Sequence, residues 1–311
     1  MSRPRGLWPT WRLHRAALLT SVAVLLALTV LLVLTGLRIR ASYDQLGIDA
    51  CRPACTPAQL NAFAEQAQRW GLWSQFLALL PGLLGMFVGA PLLAREYEAG
   101  TFRFAFTQGI TPQRLLLTKV ALLGGALLTV TLAFSAFFHW WYTPIALIKD
   151  RLAPWPYHAD GIYLAAATLF CFALGVLAGA VLRRTVLAMV VTGAAWIAVF
   201  FADWYGLRPH FAQPLLARSA TGGLGHGGRP WVVDSWVVDP SGHRLSDADW
   251  NAIVALHAGD RSWDQADYTT WILYEPGSRF WSFQALDAGW LTALAAAFVL
   301  ATLWWLRRRP T

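Results

Sequence analysis

Six long apolar runs that contain no Asp, Glu, Lys or Arg constrain this chain more than any other feature. The runs are Ala16–Leu37, Leu72–Ala94, Val120–Ile148, Ile162–Leu182, Thr185–Ala202 and Ala288–Leu306. A helix needs about 20 apolar residues to cross a bilayer core, and lipid admits only a backbone whose hydrogen bonds are satisfied internally. The first run is too long for a signal peptide and lacks a small-residue cleavage site. We predict an all-α polytopic membrane protein with six transmembrane helices, numbered spans 1 to 6.

The charges that lie between the runs predict the orientation of the chain. The net charge is +8, and it is distributed unevenly. With the N-terminus inside, the inner segments carry +11 and the outer segments −3. This is the asymmetry of the positive-inside rule, so we predict a multi-pass protein of the cell membrane with both termini cytoplasmic. The same distribution argues against a nucleic-acid-binding face. "Inner" and "outer" are used below in this predicted sense.

The apolar runs also divide the chain into predicted regions. Residues 1–15 form a cytoplasmic N-terminal segment that either lies in the membrane interface or only anchors span 1. Residues 16–202 contain spans 1–5, with a cytoplasmic loop at 95–119. Residues 203–287 form an extracellular domain, and residues 288–311 form span 6 and a basic cytoplasmic tail.

The long outer segment has the local signals of a small α+β domain. Trp231–Asp239 and Tyr268–Tyr274 alternate in the manner of strands, and a Pro-Ser-Gly turn follows the first of them. Ser246 is placed to cap a helix that Gly259 would end. In the first outer segment, Thr56 and Pro57 form a second helix start.

Two kinds of residue spacing suggest structural contacts. Gly85 and Gly89 in span 2, and Gly175 and Gly179 in span 4, are small residues four apart, a spacing that lets membrane helices approach closely. They pack helices either within the chain or across a homodimer.

Cys51 and Cys55 lie in an outer segment, where oxidation permits a disulfide. We expect a structural bridge between them, and no metal site, because no other Cys or His lies near in sequence.

Two absences narrow the function. The six runs contain no Asp, Glu, Lys or Arg, and their one histidine, His139, lies near the outer end of span 3, where we expect it to pack at the interface. An ion-coupled secondary transporter, which needs ionisable groups in the bilayer, is therefore disfavoured. The sequence also contains no GxxxxGK[ST] run, so any ATP that drives the protein must be bound by another subunit.

The inner loop between spans 2 and 3 is the most informative segment. Span 2 should continue as helix past the membrane and break at Gly100. Thr101 can cap a short crosswise helix that carries three Phe residues with Arg103 among them, and Thr111 can cap the helix that becomes span 3. Such a helix could dock in a groove of a soluble partner or simply lie in the interface.

This loop resembles the first cytoplasmic loop of ABC-2 type permeases. The similarity lies in the pattern E-x-E-x-G-T…T-x-x-R…K, which begins at Glu96 and ends at Lys119. The chain is also similar to actinobacterial ABC transporter permeases at Trp11–Arg15, Leu79–Gly85, Leu182–Thr185 and Tyr274–Trp281.

The resemblance implies a permease subunit of an ABC exporter, with no enzymatic activity and no cofactor of its own. Its partners would be a cytosolic ABC ATPase subunit, which binds the ATP, a second permease protomer in a homodimer or heterodimer, and membrane lipids. The residues expected to couple it to the ATPase are Glu96, Glu98, Gly100, Thr101, Phe102, Arg103, Phe104, Arg114 and Lys119. The acidic and basic side chains would pair with charges on the ATPase, and the Phe side chains would fill its groove.

Two other functions remain open from the sequence. A membrane-embedded transferase would need an acid or base at the mouth of a lipid cavity. The candidates are Asp44, Asp49, His210, His226, His243 and His257. A membrane-anchored assembly or sensor protein would act through the outer domain instead.

Overall fold

The computed structural model describes residues 7–51, 55–100, 111–148, 150–219, 230–257 and 267–308. The α-helices are α1 (Leu7–Gln45), α2 (Ile48–Cys51), α3 (Pro57–Gly71), α4 (Leu80–Leu84), α5 (Pro91–Glu98), α6 (Pro112–Tyr142), α7 (Pro154–Tyr157), α8 (Tyr163–Leu182), α9 (Thr185–Ala202), α10 (Asp247–Leu256) and α11 (Phe280–Arg308). The strands are β1 (Leu215–Ser219), β2 (Trp231–Val238) and β3 (Thr269–Glu275).

The prediction of six helices able to cross a membrane is confirmed within the described residues. These spans are Val22–Gln45, Leu72–Glu98, Gln113–Tyr142, Tyr163–Leu182, Thr185–His210 and Gly277–Arg308. The predicted end of span 3 was too late, because its helix stops at Tyr142, ahead of Pro144, which lacks a backbone donor. Spans 5 and 6 are longer than their charge-free runs, and this changes which residues lie within the helices.

The helix that contains span 1 begins earlier than the apolar run predicted for it. Helix α1 runs without a break from Leu7 to Gln45, about 58 Å at 1.5 Å per residue. Residues 7–15, predicted as a separate N-terminal segment, therefore belong to the same helix as span 1.

The first outer segment is short and locally braced. The Thr56 hydroxyl accepts a hydrogen bond from the Gln59 backbone, which confirms the predicted cap of α3. The structure joins Cys51 and Cys55 in a disulfide.

Span 2 changes helix type along its length. A 3-10 segment, Leu72–Leu79, leads into α4, a π segment follows at Gly85–Gly89, and α5 completes the span. Pro81 and Pro91 lie at the starts of α4 and α5, where the missing N–H of proline costs least. Pro81 is therefore one of several points at which the helix type of this span changes.

Span 4 is the central helix of the bundle and packs against spans 2, 3, 5 and 6. Its glycines lie directly against the π segment of span 2. A Cβ added to Gly175 would lie 2.7 Å from the Ala90 nitrogen and the Gly85 oxygen, and one added to Gly85 would lie 2.7 Å from the Cys171 oxygen. Of the two interpretations of these small residues, the structure shows the packing of helices within the chain.

The close approach of spans 2 and 4 gives a stability prediction. Gly175→Ala should destabilise the protein by about 1–3 kcal/mol, because the added methyl group meets backbone atoms that cannot move independently. Gly125→Ala, in the middle of span 3, is the matched control, since nothing lies within 4 Å of its added Cβ. Thermal unfolding of both variants in detergent measures the difference. Equal melting temperatures would contradict the close packing.

The chain between spans 5 and 6 includes a three-stranded antiparallel sheet in the order β1-β3-β2. The two predicted strands are present with small shifts at their ends, and Ser246 caps α10 as predicted. Strand β1 was not predicted. Gly259, the predicted end of the α10 helix, lies outside the described residues, and the outer location of this domain remains a prediction.

Candidate functional site

The inner end of span 2 is the point where the predicted coupling loop leaves the bundle. Helix α5 ends at Glu98, and Gly100 follows with a φ of +65°, a conformation that favours glycine. The predicted helix break at Gly100 is therefore present. The next ten residues lie outside the described part of the chain, and with them the predicted coupling residues Thr101, Phe102, Arg103 and Phe104.

Glu96 forms an ion pair with Lys119 of span 3. The Lys119 side chain is 3% exposed and the Glu96 side chain 19%. An ammonium group this deeply buried needs its carboxylate partner, since removing one member of a buried pair leaves an uncompensated charge. The pair therefore holds span 2 to span 3 on the two sides of the loop that connects them.

Glu98 reaches the start of span 5. Its Oε1 atom accepts a hydrogen bond from the Thr185 backbone N–H at 2.9 Å, and its Oε2 atom accepts one from the Thr185 hydroxyl at 2.7 Å. The residue in the N-cap position, Arg184, makes no side-chain cap bond. Glu98 thus supplies from span 2 the capping oxygen and negative charge that a helix N-terminus favours.

Tyr97 contacts the two-residue turn between spans 4 and 5. The Arg183 guanidinium lies 5.0 Å from the centre of the Tyr97 ring, within cation–π range. Arg183 itself has a φ of 55°, in the left-handed region that a non-glycine residue adopts at a cost.

Three consecutive residues of span 2 therefore contact three different parts of the bundle. We call this group the inner clamp; it consists of Glu96, Tyr97, Glu98, Lys119, Arg183 and Thr185. Gly100, the residue before the 101–110 segment, lies two residues after Glu98 of the inner clamp, and the clamp contacts spans 3 and 5 and the turn between spans 4 and 5.

The structure separates the predicted coupling residues into two groups. Glu96 and Lys119 pair with each other, and Glu98 pairs with Thr185, although Glu96 and Glu98 were predicted to pair with charges of a partner. Arg114 is exposed near the start of span 3, and Thr111 holds the N-cap position of that helix without a side-chain cap bond.

The prediction that the spans contain no Asp, Glu, Lys or Arg was wrong. Asp203 and Arg208 lie in the extension of span 5, Asp287 lies in span 6, and all three are fully buried. Asp203 and Asp287 were predicted as the two ends of the outer domain, and Arg208 as a residue within it. The argument against an ion-coupled transporter therefore loses its main support.

These residues form a buried group, here called the outer polar cluster, with Tyr157 and Tyr163. The Asp203 and Asp287 carboxyl groups lie near enough to each other to interact electrostatically. The Tyr157 hydroxyl donates to Asp287 Oδ2 at 2.6 Å, and the Tyr163 hydroxyl donates to Asp203 Oδ2 at 3.4 Å. Burial and the neighbouring Asp287 carboxylate raise the pKa of Tyr157, which therefore remains a proton donor.

Arg208 provides the positive charge of the outer polar cluster. Its guanidinium lies 3.3 Å from the centre of the Tyr157 ring and attracts both carboxyl groups. Its Nη2 atom donates to the Leu152 carbonyl at 3.4 Å. The cluster joins the outer ends of spans 4, 5 and 6 to the segment between spans 3 and 4. The spacing of its members along the chain gave no signal of it.

The structure does not bring together the residues considered for a transferase. His210 contacts the Gly206 carbonyl, His243 contacts Ser241 in an exposed turn, and His257 contacts the Ile253 carbonyl of its own helix. Asp49 accepts from Tyr43, and His226 lies outside the described residues. Among the residues that the structure describes, no group of three or more His, Cys, Asp or Glu could hold a metal ion.

The comparison with protein families gives one match. The family model described as ABC-2 membrane transporter related matches residues 22–208, which contain spans 1 to 5 and the inner clamp. No curated protein and no solved structure matches the chain.

Proposed function

The chain belongs to the ABC-2 membrane transporter related family, and we propose from this premise that it is the membrane-spanning subunit of an ABC exporter. Family membership and the six apolar helices make it a multi-pass membrane permease of ABC-2 type. We propose in addition that it exports its substrate, that a separate ATPase drives it, and that this ATPase attaches at the 101–110 segment. The finer resemblance to actinobacterial permeases stays a prediction.

The inner clamp is the observation that carries the proposed coupling. A separate ATPase would contact the 101–110 segment, and its closure on ATP would displace the ends of that segment. Because Glu96, Tyr97 and Glu98 contact spans 3, 4 and 5, the displacement would move several helices together. Glu96 and Glu98 act in this proposal as positioning residues within the chain. Arg114, which is exposed, is still expected to pair with a charge on the ATPase.

The working complex would contain two permease protomers and two ATPase subunits, with the translocation path between the protomers. This chain would carry out no covalent chemistry and bind no cofactor. Contact with a cytosolic ATPase requires the 101–110 segment to lie on the cytoplasmic side. Both termini and the 183–184 turn would then lie on the same side. The positive residues near these points support that orientation.

Reporter fusions test the orientation. A reporter at Thr311 should show a cytoplasmic location and one inserted at Gly242 an outer location, because span 6 separates the two positions. Gly242 lies in an exposed turn that follows β2 and has a φ of 91°, so an insertion there disturbs little. Reporters on the same side of the membrane would contradict the proposed topology.

Glu98→Lys tests the coupling. The lysine cannot accept the two hydrogen bonds from Thr185, and it places a positive charge at the N-terminus of span 5, where the helix dipole disfavours it. We expect the amount of ATPase that co-purifies from native membranes to fall more than tenfold. This amount is measured as ATP hydrolysis per permease.

Two control variants accompany this measurement. Glu98→Gln keeps an amide oxygen as acceptor and should retain most of the association. Glu65→Lys reverses an exposed charge on α3, at the other end of the bundle, and should change nothing. If Glu98→Lys inserts normally and still co-purifies with full ATP hydrolysis, the proposed coupling role of the inner clamp is wrong.

A further inference from the structure

A large pocket lies near the outer ends of the spans, beside the sheet. It is enclosed by α3, the outer ends of spans 2, 3 and 5, the segment between spans 3 and 4, and strand β2. Its volume is about 830 Å³, which falls in the range of about 300–1,000 Å³ that small-molecule sites occupy. The outer polar cluster contributes no side chain to its lining, so this is a separate site.

The lining of the pocket is apolar and aromatic and carries no charge. Among the described residues, none of those that line it is Asp, Glu, Lys, Arg or His. Trp141, Trp155, Trp204 and Trp231 contribute indole rings, and Gln68 and Gln75 contribute amide groups. Transferring an ion into such surroundings without a partner is costly, whereas an amide can both donate to and accept from an uncharged polar group.

A narrower groove adjoins this pocket on the outside of the bundle. The groove has a volume of about 220 Å³, lies between spans 2 and 5, and shares Gln75 and Trp155 with the larger pocket. Phe76, Ile197 and Phe201 line it and are at least half exposed on the outside of the bundle. In a membrane these side chains face hydrocarbon, so the groove opens to the bilayer rather than to water.

We propose that the groove and the pocket together bind one uncharged amphiphile with a single hydrocarbon chain. The chain of the ligand lies in the groove between spans 2 and 5, and its polar head lies in the pocket near Gln75 and Gln68. The ligand enters sideways from the outer half of the bilayer. Its identification as the transported compound rests on the proposed function, whereas its binding does not.

Photo-crosslinking tests the binding on the permease alone, reconstituted in phosphatidylcholine vesicles. The probe is a monoacylglycerol that carries a diazirine in its acyl chain, and the comparison probe is the fatty acid anion with the same chain. After illumination and digestion, we expect mass spectrometry to find the monoacylglycerol on residues 72–79 and 196–205. Excess unlabelled monoacylglycerol should remove this labelling, and the anion should label these segments at least tenfold less.

Filling the pocket provides a matched pair of variants. Ala64→Phe adds a ring to a half-buried position of α3 that lines the pocket, and it should lower the competed labelling at least fivefold. Ala62→Phe makes the same change two residues away, at a half-buried position that faces a different, charged pocket, and should leave the labelling unchanged.

Labelling that is spread over all lipid-facing helices and is not competed would overturn the proposal, and so would equal labelling by the anion. The competition and head-group comparisons use the unaltered protein, so they decide the question even if Ala64→Phe does not fold. No ATPase is present in this experiment. A failure of ATPase association would therefore refute the proposed function and leave the binding site intact. A failure of the competed labelling would refute the binding site and leave the proposed function intact.

Discussion

Arg208→Met is expected to destabilise the protein by about 3–5 kcal/mol, the usual cost of removing one partner from a buried group of charges. Arg208 has no exposed surface and is the positive charge that faces both Asp203 and Asp287. Methionine fills a similar volume but leaves two adjacent carboxyl groups without a cation. Because the outer polar cluster joins spans 4, 5 and 6, we expect thermal unfolding in detergent to shift sharply to lower temperature.

Arg244→Met is the control for the Arg208 variant. Arg244 also lies over a tryptophan ring, at 4.7 Å from Trp236, and it pairs with Asp234 at 3.6 Å. Both members of that pair are more than half exposed, so solvent screens the interaction, and the expected change is within about 0.5 kcal/mol.

A second variant separates lost charge balance from lost packing at Arg208. Adding Asp203→Asn to Arg208→Met removes one of the two carboxyl groups, while Tyr157 and Trp290 continue to donate to Asp287. We expect this double variant to regain part of the lost stability. A double variant that is less stable than Arg208→Met would show that packing around the guanidinium, rather than charge, accounts for the loss.

Lys119→Met is the second large-effect prediction, and it concerns the inner clamp. The substitution leaves the Glu96 carboxylate, itself four-fifths buried, without its cation. We expect a loss of about 3–5 kcal/mol in stability and a loss of most transport-linked ATP hydrolysis, because spans 2 and 3 are no longer held together beside the loop.

The double variant Lys119→Met with Glu96→Gln tests the charge argument. Since both charges are removed, most of the stability should return, while the direct link between spans 2 and 3 stays weakened. Arg114→Met, on the same helix but exposed, should keep wild-type stability. If Lys119→Met alone melts at the wild-type temperature, the buried ion pair does not hold these helices.

Local features of this fold could be predicted from the sequence because their causes are local. The apolar runs located all six spans, and the caps at Thr56 and Ser246 and the break at Gly100 were visible in short stretches of residues. The strands β2 and β3 were visible from alternation. The ends of spans 5 and 6 were predicted less well, because charge was taken as a mark of solvent.

The sites depend on contacts between residues far apart in the chain, and the sequence gave few signals of them. Tyr157 and Asp287 are 130 residues apart, and Glu98 and Thr185 are 87 apart. Glu98 was singled out by its motif, yet its partner was expected on another protein. Asp203 and Asp287 looked like the two ends of the outer domain and Arg208 like a residue within it, because their charges are compensated only where they meet in space.

The two-residue turn at Arg183–Arg184 has a consequence for how the protein folds. A connection of two residues is much shorter than the bilayer is thick. The end of span 4 and the start of span 5 must therefore lie at the same membrane surface. Spans 4 and 5 cross the membrane as an antiparallel helical hairpin, and the two arginines mark the predicted inner side of its turn. When the central helix of the bundle folds into its place, this two-residue tether keeps the start of span 5 beside the end of span 4.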